Sequence, residues 1–256
     1  MDSNSPAYVS APLVSPPLVS VVTVCFNADQ TLEQTILSVL AQEGVRLEYI
    51  VIDGGSQDES ARIIRQHASR LAYWCSEPDR GIYHAMNKGL ARARGEWVLF
   101  INADDYFRDS TALRDLANVA DDDVDIVAGG TLLKRGHLEA PFAPSRRLGL
   151  CLQIPFMHPA ALVRRDAMLQ CGGFDERYRI AADCDLLLRV MTTRNLPWRR
   201  VVRSVSVMRD GGASDRGFLR GRFEYMQLYW RNTRDAPGAL VGYIFSILAH
   251  VKARSA

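Results

Sequence analysis

Five cysteines and five histidines are spread over 256 residues, and no two cysteines form a Cys-x-x-Cys pair. That scatter indicates neither a zinc cage nor a disulfide framework. Cys25, Cys75, Cys151, Cys171 and Cys184 are odd in number and fit a reducing compartment, with Cys25 and Cys75 set in apolar segments as small core residues. No run approaches the roughly 20 apolar residues that span a bilayer. The nearest, residues 239–251, is interrupted by Gly242, Ser246 and His250. No sign of charge dominates: the formal net charge is +2, so a general polyanion surface is excluded and no nucleic-acid partner is expected. The first strand is followed neither by a Gly-x-Gly-x-x-Gly turn, as hydride transfer would require, nor by the Gly-rich basic loop expected of a nucleotidyltransferase. Internal repeats and domain-dividing linkers are also missing.

What is present is an ordinary globular composition, 48% apolar and 23% charged, in alternating strand-like and helix-like segments. Residues 18–26 (LVSVVTVCF) are β-branched and too continuously apolar for a one-sided strand, so a buried parallel strand is predicted. Asp29 is placed to cap the next helix, whose apolar positions Leu32, Ile36, Val39 and Leu40 fall at helical spacing before Gly44. Residues 47–52 form a second strand, and Ser56-Gln57-Asp58-Glu59 has the spacing of a capping box for a helix to about His67. A third strand at 71–74, a helix at 81–92 and a fourth strand at 97–101 complete a pattern that predicts a doubly wound parallel sheet. Beyond residue 125 the rhythm changes. Strands are expected at 125–127, 131–133 and 201–208, a Pro-rich loop at 141–159, and helices at 181–191 and 218–230.

Ligands of open parallel sheets gather outside the carboxyl ends of the strands. Three such ends carry polar groups here: Asn27, Asp53, and the cluster Asn102-Ala103-Asp104-Asp105. Adjacent carboxylates repel unless a cation or hydrogen bonds offset them, and oxygen-only ligands select Mg²⁺ or Mn²⁺, which also bridge diphosphates. A solvated turn is the plainer reading of that cluster. Arg80 opens a helix, where the macrodipole disfavours a cation, so a ligand-related purpose competes with an ordinary surface arginine; backbone N–H groups beside it could hold phosphate. In the helix around Asp183-Cys184-Asp185-Leu186, Asp185 has Arg189 four residues on as a surface partner, whereas Asp183 has only Leu187. Asp183 is therefore the better candidate for a general base. His158 is a lone loop histidine, and the glycines in Gly211-Gly212-Ala213-Ser214 suit either a mobile lid or a tight turn. The arginines 199, 200, 203, 209, 216, 220 and 222 would meet phosphates, an acidic glycan or lipid headgroups, or form a solvated face.

In order along the chain, Phe26-Asn27, 52–58 (IDGGSQD), 77–89 (EPDRGIYHAMNKG), 102–105 (NADD) and Asp183-Cys184-Asp185-Leu186 resemble the family-2 inverting glycosyltransferases of the GT-A fold, in particular the bacterial branch that builds surface polysaccharides. The resemblance covers roughly residues 17–215. It implies a Rossmann-like α/β fold with a mostly parallel central sheet flanked by helices. By the same resemblance, Val24, Phe26, Asn27, Asp53, Arg80, Asn102 and Ala103 would bind the nucleotide, with Asp53 on the polar edge of the base. Asp104 would ligate Mn²⁺ or Mg²⁺, with Asp105 in support, Asp183 would act as catalytic base, and His158 would stand on the acceptor side. Two positions depart from the pattern. Asn102 stands where the metal motif usually opens with Asp, and Ala182 stands where an acidic residue usually precedes the base.

The resulting expectation is a cytoplasmic enzyme that transfers a sugar with inversion from a nucleoside-diphosphate sugar, UDP favoured, to a saccharide or lipid-linked saccharide hydroxyl. The alternatives are a non-catalytic nucleotide- or glycan-binding module of the same fold, or a nucleotidyltransferase. Residues 1–16 read as a flexible leader and 17–215 as the catalytic domain, split into a nucleotide-sugar half (17–106) and an acceptor half (107–215). Residues 216–256 read as a helical extension serving a peripheral contact at the inner membrane face or a homodimer contact.

Overall fold

The computed structural model describes residues 19–136, 138–143, 156–193, 197–212 and 217–233. The leader, Cys151, most of the Pro-rich stretch, Ala213 and Ser214, Arg216 and the apolar segment 239–251 lie outside the described residues.

The first strand, β1 (Val19–Cys25), is buried at all seven positions, as its unbroken apolar character predicts. It pairs in parallel with β2 (Leu47–Asp53) on one side and β4 (Trp97–Phe100) on the other, while β3 (Tyr73–Ser76) extends the parallel set beyond β2. Helices α1 (Leu32–Leu40), α2 (Ser60–His67) and α3 (Ile82–Arg92) make the crossovers. Alternation along β1 divides the core: Val19 and Val21 join one apolar cluster with Leu32, Ile36 and Ile64, and Val22 and Val24 join another with Met86 and Leu90. Thr23, buried on the first of these faces, is satisfied by the Tyr49 hydroxyl at 3.0 Å.

The second half of the sheet is mixed. The described strands run in the order β3-β2-β1-β4-β8-β6-β9-β5, with β7 (Leu138–Phe142) on β6. Here β8 (Ala161–Arg164) is antiparallel to both β4 and β6 (Ile126–Arg135), β9 (Arg199–Arg209) is parallel to β6, and β5 (Tyr106–Phe107) is antiparallel to β9. The two strands expected at 125–127 and 131–133 are one strand, because Gly129 and Gly130 lie within it. Its pairing with β9 shifts register there, so the glycines mark an irregularity instead of a turn. Helices α4 (Ala112–Ala117), α5 (Arg165–Gln170), α6 (Ala182–Thr193) and α7 (Phe218–Thr233) complete the described elements. From the region assigned by sequence to a C-terminal extension, α7 packs its buried Leu228 against Ala181, Cys184 and Leu188 of the α6 region.

Two helix starts differ from expectation. Helix α1 begins at Leu32 with no side-chain cap, and Asp29 instead donates its backbone N–H to Asp58 at 3.0 Å. Nor do Ser56 and Glu59 form a capping box, since α2 begins later, at Ser60. Ser56 and Asp58 are drawn to the loop after β1: Ser56 Oγ accepts from Asn27 N at 2.8 Å, Asn27 Oδ1 accepts from Gln57 N at 2.8 Å, and Ser60 Oγ accepts from Ala28 N at 2.9 Å. Long-range bonds between two strand-end loops have displaced the local cap.

Helix α3 lies close on β1. A Cβ on Gly89 would sit 2.3 Å from Cγ1 of Val22, which is fully buried and stiff at χ1. Gly89→Ala is expected to destabilise the fold by about 1–3 kcal/mol through overpacking. An unchanged melting temperature would show that this contact relaxes without cost.

Candidate active site

In register, Cys25 pairs with Asp53 and Val22 with Phe100, so β1, β2 and β4 end on one edge. Outside that edge lies a cleft of about 800 Å³ whose walls include Phe26, Arg80, Asp104, His158, Asp183 and Gly212. The ends of β1, β2 and β4 are thus brought together with the start of α6.

Val24, Phe26, Asn27, Asn102 and Ala103 line the cleft. The Phe26 ring is 62% exposed, an apolar face available for stacking by a planar base. Asn27 takes φ +49°, the left-handed region that asparagine tolerates better than most residues. Asp53 is placed differently. It is fully buried, and its oxygens accept from Ser56 N at 3.1 Å, Ser56 Oγ at 2.5 Å and Ser76 Oγ at 2.6 Å. In this geometry the carboxylate braces the cleft floor, and Gly54 is the neighbour that reaches the wall. The Cys25 thiol, 3.5 Å from Asp53, is pushed up by burial and then by that carboxylate.

Arg80 projects into solvent, 71% exposed, and pairs with Glu176 at 2.8 Å. The N–H groups expected to cradle phosphate are engaged locally, Arg80 N donating to His84 Nδ1 and Gly81 N to Asp79 Oδ1. Arg179, which the sequence did not single out, and Arg209, from the basic stretch, also line the cleft. Arg179 donates to the Arg80 carbonyl at 2.8 Å, and Arg209 donates to the Asp104 carbonyl at 2.8 Å while lying over the Tyr106 ring. The remaining basic stretch is largely paired: Arg199 with Asp121, Arg203 with Asp109 and Asp115, and Arg220 with Glu224.

The acidic cluster after β4 has three distinct members. Asp104 faces the cleft, and its Oδ2 lies 3.1 Å from where a Cβ on Gly212 would stand, so the glycine keeps that carboxylate open. Asp105 is buried and its Oδ2 finds no hydrogen-bond partner among the described residues. Burial first, and then the neighbouring Asp104 charge, push its carboxyl up to about 8. Asn102 likewise leaves a buried Oδ1 unpartnered. Unsatisfied oxygens beside an open carboxylate, with room reserved by a glycine, fit a hard divalent cation completed by ligands from outside the protein. No group of three or more His, Cys, Asp or Glu side chains forms a closed metal cage among the described residues.

Asp183, in the first turn of α6, has partners that sequence spacing did not reveal. His158 Nδ1 lies 3.0 Å from its Oδ2, and the Tyr83 hydroxyl lies 3.2 Å from Oδ1 and 2.6 Å from the Ile180 carbonyl. The other ring nitrogen of His158 meets Asn102 Nδ2 at 3.2 Å. A chain Asn102–His158–Asp183 therefore joins the donor-side cluster to the candidate base. Burial acts to raise the Asp183 carboxyl, but the hydrogen bond and charge of His158 outweigh it and hold the carboxyl below its usual range. Burial lowers the His158 imidazole, and Asp183 outweighs that in turn, leaving the imidazole raised. Asp185 pairs with Arg189 as expected, but the pair is not a surface one. Asp185 is buried, and Arg189 also caps the carbonyl of Gly173 at 2.8 Å.

The strand ends of this α/β sheet thus assemble an exposed aromatic ring, an open carboxylate and a buried, paired carboxylate around one cleft. The sequence pattern described as "Glycosyl transferase family 2" matches residues 20–171, more than half of the chain. The chain belongs to that family. The match stops short of Asp183, so the base rests on geometry and on the resemblance. An uncharacterized glycosyltransferase of Mycobacterium tuberculosis is 35% identical over 183 residues, covering 69% of this chain and 70% of that one. Two solved structures share the fold. The mannosyltransferase PcManGT from Pyrobaculum calidifontis, in complex with GDP-Man and Mn²⁺, superposes with a TM-score of 0.69 at 19% identity, over 97% of this chain and 79% of that one. Residues 1–349 of TarS from S. aureus, in complex with UDP-GlcNAc, superpose with a TM-score of 0.66 at 16% identity, over 86% and 69%.

The ion pair makes stability depend on pH in a defined window. A depressed carboxyl contributes above its unfolded value, about 3.9, and loses its contribution as pH falls through the folded value. A raised imidazole contributes fully below about 6.5 and loses its contribution as pH rises through the folded value. His158→Ala is therefore expected to lower the melting temperature most between about pH 4 and 6.5, with the gap from wild type narrowing on both sides. A gap independent of pH would mean that the pair is not ionised in the native protein.

Proposed function

We propose that the protein transfers a sugar, with inversion, from a nucleoside-diphosphate sugar to a hydroxyl of a saccharide or lipid-linked saccharide in bacterial polysaccharide or glycolipid synthesis. We favour a UDP-sugar as donor. The observation that carries the reading is that Asp104 and Asp183 face one cleft, across which Asn102 meets His158 and His158 pairs with Asp183.

The Phe26 ring and the wall around Val24 and Gly54 take the base, and Arg80, Arg179 and Arg209 supply positive charge along the cleft. Asp104 and the free oxygen of Asn102 would hold Mn²⁺ or Mg²⁺ against the diphosphate, and the bound cation would neutralise charge on the departing nucleotide. Asp183 accepts the proton of the acceptor hydroxyl as that oxygen forms its bond to the anomeric carbon, and the electrons of the breaking bond leave with the diphosphate. His158 and Tyr83 hold the carboxylate in orientation, and each carboxylate oxygen keeps a lone pair for the incoming proton. One displacement from the face opposite the leaving group inverts the anomeric centre.

Among the described residues no helix is long and apolar enough to cross a membrane. A cytoplasmic enzyme that meets lipid-linked acceptors at the inner membrane face through a peripheral contact, alone or as a homodimer, remains part of the proposal.

Asp183→Asn should reduce transfer by about 10²–10⁴-fold, the usual contribution of a general base, while leaving the thermal stabilisation by nucleoside diphosphate and Mn²⁺ intact. Near-normal transfer by this variant would remove Asp183 from the chemistry. In a melting-temperature screen of UDP, GDP, dTDP and CMP with and without Mn²⁺, UDP should stabilise the wild type only with metal, and Asp104→Ala should abolish that shift. Stabilisation by GDP alone would replace the UDP assignment, and a shift that survives in Asp104→Ala would contradict the metal assignment.

A further inference from the structure

Glu224 lies on α7, well outside the segment matched by the family and 5% exposed. Its carboxylate meets three successive backbone N–H groups: Arg179 at 3.0 and 3.1 Å, Ile180 at 2.8 Å and Ala181 at 3.0 Å. The only other donor to it among the described residues is Arg220 Nε at 3.1 Å, one turn earlier on the same helix. These three amides are the entry to α6, and neither its first residue, Ala182, nor the preceding Ala181 has a side-chain acceptor with which to cap it. The missing cap comes from a carboxylate 43 residues downstream, placed where converging amides and the helix dipole favour negative charge.

We infer that Glu224 is a positioning residue for the base, fixing the turn that delivers Asp183 to the cleft. Only Ala182 separates the capped amides from Asp183, so a shift of the turn is transmitted directly to the carboxylate. The same turn is gripped from the donor side, where Tyr83 donates to the Ile180 carbonyl at 2.6 Å and Arg179 donates to the Arg80 carbonyl at 2.8 Å. From the other side α7 presses close. A Cβ on Gly221 would lie 2.9 Å from Ile180 Cγ2, and Leu228 is buried against Ala181, Cys184 and Leu188. Helix α7 thereby becomes part of the catalytic unit, with Gly221, Glu224 and Leu228 along its inner face. The inference rests on Asp183 being the base.

The test compares full-length wild type, Glu224→Ala, Glu224→Gln and Asp183→Asn. Amide hydrogen exchange is read at residues 179–182, nucleotide binding from the thermal shift with UDP and Mn²⁺, and turnover from nucleotide release with water as acceptor. The donors are UDP-glucose, UDP-galactose, UDP-N-acetylglucosamine and GDP-mannose. Glu224→Ala should exchange at least about tenfold faster at 179–182 than wild type and lose about 10- to 100-fold in kcat, the usual cost of misplacing a catalytic group by about 1 Å. Its donor KM and its UDP–Mn²⁺ shift should stay within twofold of wild type. Glu224→Gln keeps one acceptor oxygen for the Ile180 and Ala181 amides, so it should fall between wild type and alanine in both exchange and kcat. Unchanged exchange at 179–182 in Glu224→Ala overturns the inference whatever the donor. Wild-type kcat in Glu224→Ala beside an inactive Asp183→Asn overturns it alone, and an active Asp183→Asn overturns the base assignment beneath it. A matched loss of UDP–Mn²⁺ binding in Glu224→Ala and Glu224→Gln would make the role one of general folding and would also overturn it.

Discussion

His158 lets Asp183 keep its charge in a place where water is scarce. Both side chains are mostly buried, 17% and 16% exposed, and neither would favour its ionised form there alone. Each is the other's compensation, and the first turn of α6 adds a favourable dipole for the carboxylate. The pairing depends on the sheet changing direction at β8. Because β8 runs antiparallel to β4, with Trp97 opposite Arg164 and Val98 opposite Val163, the turn that carries His158 comes level with the chain leaving β4. Asn102 then meets the far side of the imidazole ring, and the donor and acceptor sides are held at a fixed spacing.

Much of the donor half was legible in the sequence because its strands are buried on both faces. A continuous β-branched run has few other fates, and the polar residue that ends it must lie at the sheet edge. Local rules failed where a distant group won. Ser56 and Asp58 looked like parts of a helix start, but their oxygens accept from the loop after β1. Asp53 shows the opposite limit. Its place at a strand end was correct, yet two serines and a cysteine occupy its oxygens.

The acceptor half was read less well for a physical reason. Its strands pair across long separations and in mixed directions, so no local period encodes the partners of His158 or Tyr83. Glu224 was not singled out, since spacing along its own helix offers it only Arg220 as a partner. That it caps α6 depends on the packing of α7, which spacing within one helix does not reveal. Asn102 illustrates a more useful departure. An amide at the first position of the metal motif meets the imidazole ring and lines the cleft without charge, where a carboxylate would add a further negative charge beside Asp104.

The proposed reaction is a single displacement in which Asp183 activates the attacking oxygen within the cleft that holds the donor. It is tested most directly by proton NMR of the anomeric signal during hydrolysis of an α-linked UDP-sugar by the wild-type enzyme with Mn²⁺. The first sugar released should carry the β configuration, with the α form appearing only later by mutarotation. Initial release of the α sugar would contradict it, because retention requires either a second displacement or attack from the same face as the leaving group.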